Sequence, residues 1–184
     1  MSDITEILQN WSDESSEDRG RVISALYDEL RRNAAAHLRR ERHAELQPTS
    51  LVNEAYLRLI QIDRIDLKGR THFLGLAGRI MREILVDEAR RMQAKKRDRG
   101  LQTRLTGEHA GADLPITDLL QLDELLNELE AIDPVYVKLF EARAFAGMTI
   151  EEAAEVLELS PSTVKRKWKV ALAWIQDHVG TSSG

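Results

Sequence analysis

The stretch from Thr149 to Ile175, TIEEAAEVLELSPSTVKRKWKVALAWI, constrains this chain most, because it contains two helix starts in quick succession. Thr149 can cap a first helix, and Glu152 three residues on can close a capping box. Ser160 followed by Pro161 supplies a second cap and a proline at the first helical position, where its missing N–H costs nothing. Two short helices joined by a tight turn form the pattern of a helix-turn-helix nucleic-acid reader. At about 100° per residue, Val164, Trp168, Ala171, Leu172 and Ile175 fall on one face of the second helix. Ser162, Lys165, Arg166 and Lys169 gather on another. One face is expected to pack, and the other is left to meet phosphates and base edges.

The rest of the chain reads as all-α. Apolar residues recur at spacings of three and four, with few β-branched runs and four prolines. The expected elements are a short helix near Ile4 to Trp11, a long one over Arg19 to Arg42, one over Leu51 to about Ile62, and one over Phe73 to Arg97. After these come helices over Asp118 to Ala131, Pro134 to Ala146, Thr149 to Glu158 and Ser160 to His178. Between Gly100 and Pro115 periodicity fades into a polar, glycine-punctuated stretch, which reads as a flexible linker. The expectation is two small helical domains, residues 1–99 and 118–184, joined by a linker at 100–117, with the helix-turn-helix in the second. At 184 residues and 42% apolar, the chain can supply two small cores.

Net charge is -5, which is unfavourable for a nucleic-acid binder until it is divided along the chain. Residues 1–100 hold 19 Lys and Arg against 17 Asp and Glu, a net of +2; residues 101–184 hold 7 against 14, a net of -7. Four of those seven cations lie between Lys165 and Lys169, so a basic spot stands on an acidic body. Non-specific affinity grows with the number of phosphates neutralised, so tight unaided binding to DNA is not expected. A partner that delivers the chain to DNA resolves the conflict. Cysteine is absent, which excludes disulfides and thiolate metal sites and suits a reducing cytoplasm. No signal peptide or membrane span is legible, so the chain is read as cytoplasmic and not membrane-inserted.

Three constellations stand out. In the helix from Phe73 to Arg97, Arg79, Arg82, Arg90 and Arg97 fall within about 80° of one another, opposite Phe73, Ala77, Ile80, Met81 and Ile84. Such a stripe can track a nucleic-acid backbone, and it can equally be a solvated face. Before it lies the loop Asp66 to Thr71, followed by His72 and Phe73; an unstacked base could be held there, although a phenylalanine at such a place is more often core. The helix over Leu51 to Ile62 buries Val52, Ala55, Tyr56 and Leu59 and turns Asn53, Glu54, Arg58 and Gln61 outward, with Leu57 stranded among them. An apolar residue in a polar face is either a docking signal or one of the ordinary exposed leucines. Catalytic and metal-binding patterns are missing: the five histidines are scattered, with no HExxH, Gly-rich phosphate loop or GxSxG. No enzyme activity, cofactor or metal is expected.

Taken together, the blocks PTSLVNEAYLRLI at Pro48 to Ile60, HFLGLAGRIMREILVDEARRMQAKKR at His72 to Arg97, and MTIEEAAEVLELSPSTVKRKWKVAL at Met148 to Leu172 resemble a bacterial RNA polymerase sigma factor. The likeness is to the extracytoplasmic-function (ECF) group of the sigma-70 superfamily and runs from about Arg21 to Ile175. It implies a first domain that binds the polymerase clamp and reads the minus-ten promoter element, and a second that binds the flap and reads the minus-thirty-five element. The β and β′ subunits of core polymerase and promoter DNA are the implied partners, and an anti-sigma protein is a further candidate. By position, Asn53, Glu54, Leu57, Arg58 and Gln61 match the family's polymerase-docking surface. His72, Phe73, Arg79, Arg82, Arg90 and Arg97 fall at the minus-ten reader, and Ser162, Thr163, Lys165, Arg166 and Lys169 at the minus-thirty-five reader. Two departures stand beside the likeness. Glu158 occupies a turn position where many such motifs carry glycine, which leaves the turn geometry open. The melting region has Phe73 but lacks the tryptophans and tyrosines of primary sigma factors, as is usual for this group.

The residues by themselves leave rivals standing. A stand-alone helix-turn-helix regulator would bind a palindromic site without polymerase. A helical adaptor would use the same faces for protein contacts, and a helical enzyme would need a pocket with convergent polar groups.

Overall fold

The computed structural model describes residues 8, 11, 15–40, 47–62, 67–98 and 119–179, apart from the side chains of 36–40 and 96–98. Every regular element among them is helical. In chain order they are α1 (Ser16–Arg40), α2 (Pro48–Ile60), α3 (Arg70–Asp98), α4 (Leu119–Ile132), α5 (Pro134–Phe140), α6 (Ile150–Leu157) and α7 (Pro161–Val179). The expected linker lies outside the described residues, as does most of the expected helix at Ile4 to Trp11, of which only Leu8 and Trp11 are described.

Helix starts follow local chemistry. Prolines open α2, α5 and α7, whose first N–H groups would be unpaired anyway. The Asp133 carboxylate accepts from the Val135 N–H at 2.9 Å and caps α5. At α6 the capping box is complete: Thr149 Oγ1 accepts from the Glu152 N–H at 3.1 Å, and the Glu152 carboxylate accepts from the Thr149 N–H at 2.9 Å.

Helices α1 to α3 pack around Leu30, Leu51, Leu59, Phe73, Met81 and Leu85, all essentially inaccessible to water. Trp11 joins them, with its ring 5.7 Å from that of Phe73 and its indole N–H donating to the Ile62 carbonyl at 3.1 Å. Arg19 is buried yet well supplied with acceptors: it donates to the carbonyls of Trp11, Ile60 and Ile62 at 2.9, 3.2 and 3.3 Å. Two of these belong to the C-terminal end of α2, where orphan carbonyls and the helix dipole favour a cation.

The C-terminal helices gather around Leu126, Leu129, Leu139, Phe140, Val164 and Ile175. The helix expected to run unbroken from Pro134 to Ala146 instead widens into a π-helical turn over Glu141–Phe145. It closes through Ala146 N–H to Glu141 O at 2.8 Å and Met148 N–H to Ala142 O at 2.9 Å. Gly147 follows at φ 70°, a conformation that an L side chain resists. Asn33 of α1 donates from Nδ2 to the Ala146 carbonyl at 2.8 Å, so the irregular segment is where the C-terminal helices meet the N-terminal ones. The two sets share one continuous core.

Candidate nucleic-acid interface

Helix α7 has the two faces that its spacing predicts. Val164, Ala171 and Ile175 are buried, and Trp168 lies half-buried with its ring 5.5 Å from that of Phe140. Ser162, Lys165, Arg166 and Lys169 are exposed. Thr163 is half-buried, and its hydroxyl lies 2.8 Å from that of Ser160, whose oxygen also accepts from the Thr163 N–H at 3.2 Å. Thr163 is therefore tied into the helix cap rather than turned freely outward. Lys167 leaves the basic spot altogether: its Nζ sits 2.7 Å from the Asp133 carboxylate and 4.8 Å from the Tyr136 ring centroid. That contact, with the Val135 N–H, holds the Asp133 carboxyl below its ordinary range. The exposed cations of this face are Lys165, Arg166 and Lys169.

The turn before α7 runs through Glu158 at φ 54°, ψ 40°, a left-handed residue that closes α6 as glycine usually does. Leu159 N–H reaches back to the Ala154 carbonyl at 3.0 Å, and Glu158 N–H to Glu155 at 3.2 Å. The geometry left open by the missing glycine is thus the ordinary one, adopted by a residue with a Cβ. The Glu158 carboxylate pairs with Lys68, which lowers its pKa.

On α2, Leu51, Val52, Ala55 and Leu59 are buried and Tyr56 is half-buried. Asn53, Glu54 and Gln61 face water, and Leu57 is 50% exposed among them. Arg58 lies 3.4 Å from both Glu54 and Asp87, a bridge from α2 to α3. The face therefore combines an apolar centre with a charged rim, as interface patches do.

The arginines of α3 do not form one free stripe. Arg79 is exposed, with Nε 3.1 Å from the Glu83 carboxylate. Arg82 keeps only 11% of its side chain exposed and is held by Asp123 at 2.7 Å and Glu141 at 2.9 Å. Arg90 is mostly exposed yet meets the same Asp123 at 3.1 Å. The side chain of Arg97 lies outside the described residues. Phe73 is fully buried against Trp11, and His72 is half-buried. Burial raises the Glu141 carboxyl pKa, and the hydrogen bond and charge of Arg82 offset this only in part.

Sequence patterning gave no sign of Asp123 and Glu141 as partners of the arginines, because they stand 41 and 59 residues away from Arg82. Neighbouring contacts extend the pattern. Thr71 Oγ1 donates to Glu155 at 2.9 Å, Arg70 lies 3.4 Å from Glu152 and also pairs with Glu29, and Lys68 meets Glu158. Between these elements Arg79, Arg82, Arg90, Lys138, Asp123 and Glu141 line a charged groove of about 310 Å³. With both signs of charge interleaved, it has the character of an electrostatic seam. Among the described residues no group of histidines and carboxylates is arranged to hold a metal, and no helix is long and apolar enough to cross a membrane.

The geometry is that of an all-helical protein presenting a short basic helix behind a tight turn. The chain belongs to the ECF sigma factor family, whose model matches residues 1–181. It is accordingly a sigma factor, a transcription regulator that directs initiation, with RNA polymerase and promoter DNA as the partners its family implies. No curated protein and no solved structure matches it.

Proposed function

We propose that this sigma factor binds core RNA polymerase through the outward face of α2 and reads two promoter elements, one with each half. Residues 1–99 and 118–184 act as the two reading domains, with 100–117 as the tether, in the cytoplasm. Lys165, Arg166 and Lys169, with Ser162 and Thr163 at the start of α7, meet the minus-thirty-five element in the major groove. The loop before α3, His72, Phe73 and the arginines Arg79, Arg82, Arg90 and Arg97 serve the minus-ten element. Asn53, Glu54, Leu57, Arg58 and Gln61 dock on the clamp of the β′ subunit, and the second half contacts the β flap. An anti-sigma protein is a further partner of this reading.

The observation that carries it is the division of α7. Three cations stand exposed on one side while Val164, Ala171 and Ile175 are buried on the other, so the helix can be seated in a groove without unpacking. Three cations neutralise few phosphates, which explains why polymerase rather than free DNA must supply most of the affinity. The test is reconstitution with core polymerase, followed by mapping of start sites across the genome. Start sites sharing two upstream elements are the expected result. Absence of directed initiation at any promoter overturns the reading, and polymerase-independent binding to a palindrome replaces it with that of a stand-alone regulator.

A further inference from the structure

The contacts between the two halves fall on the basic groups that the reading above assigns to the minus-ten element, or on their immediate neighbours. Lys68 and Arg70 in the loop, and Thr71 after it, face Glu158, Glu152 and Glu155 along one edge of α6. Arg82 and Arg90 face Asp123, and Arg82 also faces Glu141. A carboxylate on a guanidinium occupies the donors that a phosphate would use, and a row of glutamates beside them repels a nucleic-acid backbone.

A second feature of the same seam is independent of charge. Gly78 lies in the middle of α3, where glycine is a poor helix former. A Cβ built there would stand 2.9 Å from both the Cβ and the backbone nitrogen of Ala146, and 3.1 Å from the Glu141 carbonyl oxygen. Backbone on the far side cannot give way as a flexible side chain would. Gly75, one turn earlier, meets Met148 and Val156 at ordinary contact distance. The glycine thus permits the closest approach of the two halves, next to the carboxylate that holds Arg82.

We propose that the free protein is closed on itself, with the acidic edge of α6 and the Asp123 and Glu141 pair masking its own minus-ten surface, and with Gly78 setting the closure. The proposal rests on the reading of that surface as nucleic-acid-facing. Opening exchanges intramolecular carboxylates for phosphates and exposes Arg82, so closure and DNA contact compete, and each weakens the other by the same factor.

The test uses the full chain, which has no natural cysteine. Spin labels at Ser24→Cys and Glu124→Cys, both exposed positions, report the separation of the halves without DNA or polymerase. The expected result is one narrow distance in the parent protein and a longer, broader distribution in Gly78→Leu, with unchanged helical content. Binding of the free Gly78→Leu protein to promoter DNA is expected to rise about tenfold, within the usual range of such couplings. If Gly78→Leu fails to fold, the pair Asp123→Asn and Glu141→Gln must give the same opening without added bulk. A broad distribution in the parent overturns closure even where reconstitution succeeds. An opened variant whose DNA binding does not rise overturns the masking.

Discussion

The carboxylate of Asp123 lies 2.7 Å from the guanidinium of Arg82, and each of the two side chains is only 11% exposed. A charge pair so far removed from water is stable only while every member has its partner, because desolvation of either ion alone is costly. Asp123→Ala should destabilise the protein by about 2–4 kcal/mol, with Glu141 left as the buried partner of Arg82. Replacing Arg82, Asp123 and Glu141 together by Met, Leu and Leu should recover most of that loss. Urea unfolding monitored by helical content distinguishes the two; equal losses would show that the charges themselves carry the stability.

Stability should depend on pH through two opposing sets of carboxyl groups. Burial raises the Glu141 pKa, so the folded state holds that proton more tightly than the unfolded one. Its contribution is fully present below the ordinary glutamate value and is lost as pH rises through the raised value. Asp133 and Glu152 behave oppositely: Lys167 holds the first low and the Thr149 N–H the second, so their contributions exist above the ordinary carboxyl values and fade as pH falls through the lowered ones. Relative to the parent, Glu141→Gln should therefore gain stability as pH rises above about 4.3, the ordinary glutamate value. Denaturant midpoints measured across pH check this, and parallel profiles for the two proteins would contradict it.

The turn at Glu158 offers a gain. Glycine adopts the left-handed conformation without the steric cost borne by a residue with a Cβ, so Glu158→Gly should raise Tm by roughly 2–5 °C. Glu158→Ala, which keeps the Cβ and loses the Lys68 contact, should lower it. Thr149→Ala at the other end of α6 removes the cap and should cost about 1 kcal/mol. Thermal unfolding of the three variants is the measurement, and a fall in Tm for Glu158→Gly would mean that the ion pair outweighs the backbone cost.

Leu57 separates docking from folding. It is half exposed on the outer face of α2, so Leu57→Asp should change stability by no more than about 0.5 kcal/mol. The same change should weaken binding to core polymerase at least tenfold if that face docks. Pull-down titration of purified core polymerase, with the unfolding midpoint as control, reads both.

Arg166→Ala should reduce initiation while leaving polymerase binding unchanged, because the side chain stands exposed on α7 away from the buried face. If Arg166 contacts a base edge, the loss is about 1–3 kcal/mol and preference at one promoter position relaxes; if it contacts phosphate, all promoters weaken alike and the salt slope falls by about 1. Lys167→Ala should instead act on stability, through Asp133 and Tyr136.

The fold was largely legible because helix starts are local chemistry. A threonine followed by a glutamate three residues on, an aspartate before Pro134 and a serine before Pro161 satisfy backbone donors within one turn, whatever the rest of the chain does. The exposed cations of α7 were legible for a similar reason: a helical period that buries Val164 and Ile175 leaves Lys165, Arg166 and Lys169 outside. The π-helical turn at Glu141–Phe145 was not legible, since its closing bonds do not follow the regular period and it lies against a neighbouring helix.

By itself, then, the sequence determined an all-helical chain, its helix boundaries to within a few residues, and the two faces of its last helix. Only tertiary packing decided the fates of Arg82, Arg90, Lys167 and Thr71, because each takes a partner at least 33 residues away. It also put Glu158 into a left-handed turn opposite Lys68. Helical periodicity says which residues point away from their own helix, but whether they meet water or a carboxylate from the other half depends on how the helices close over them.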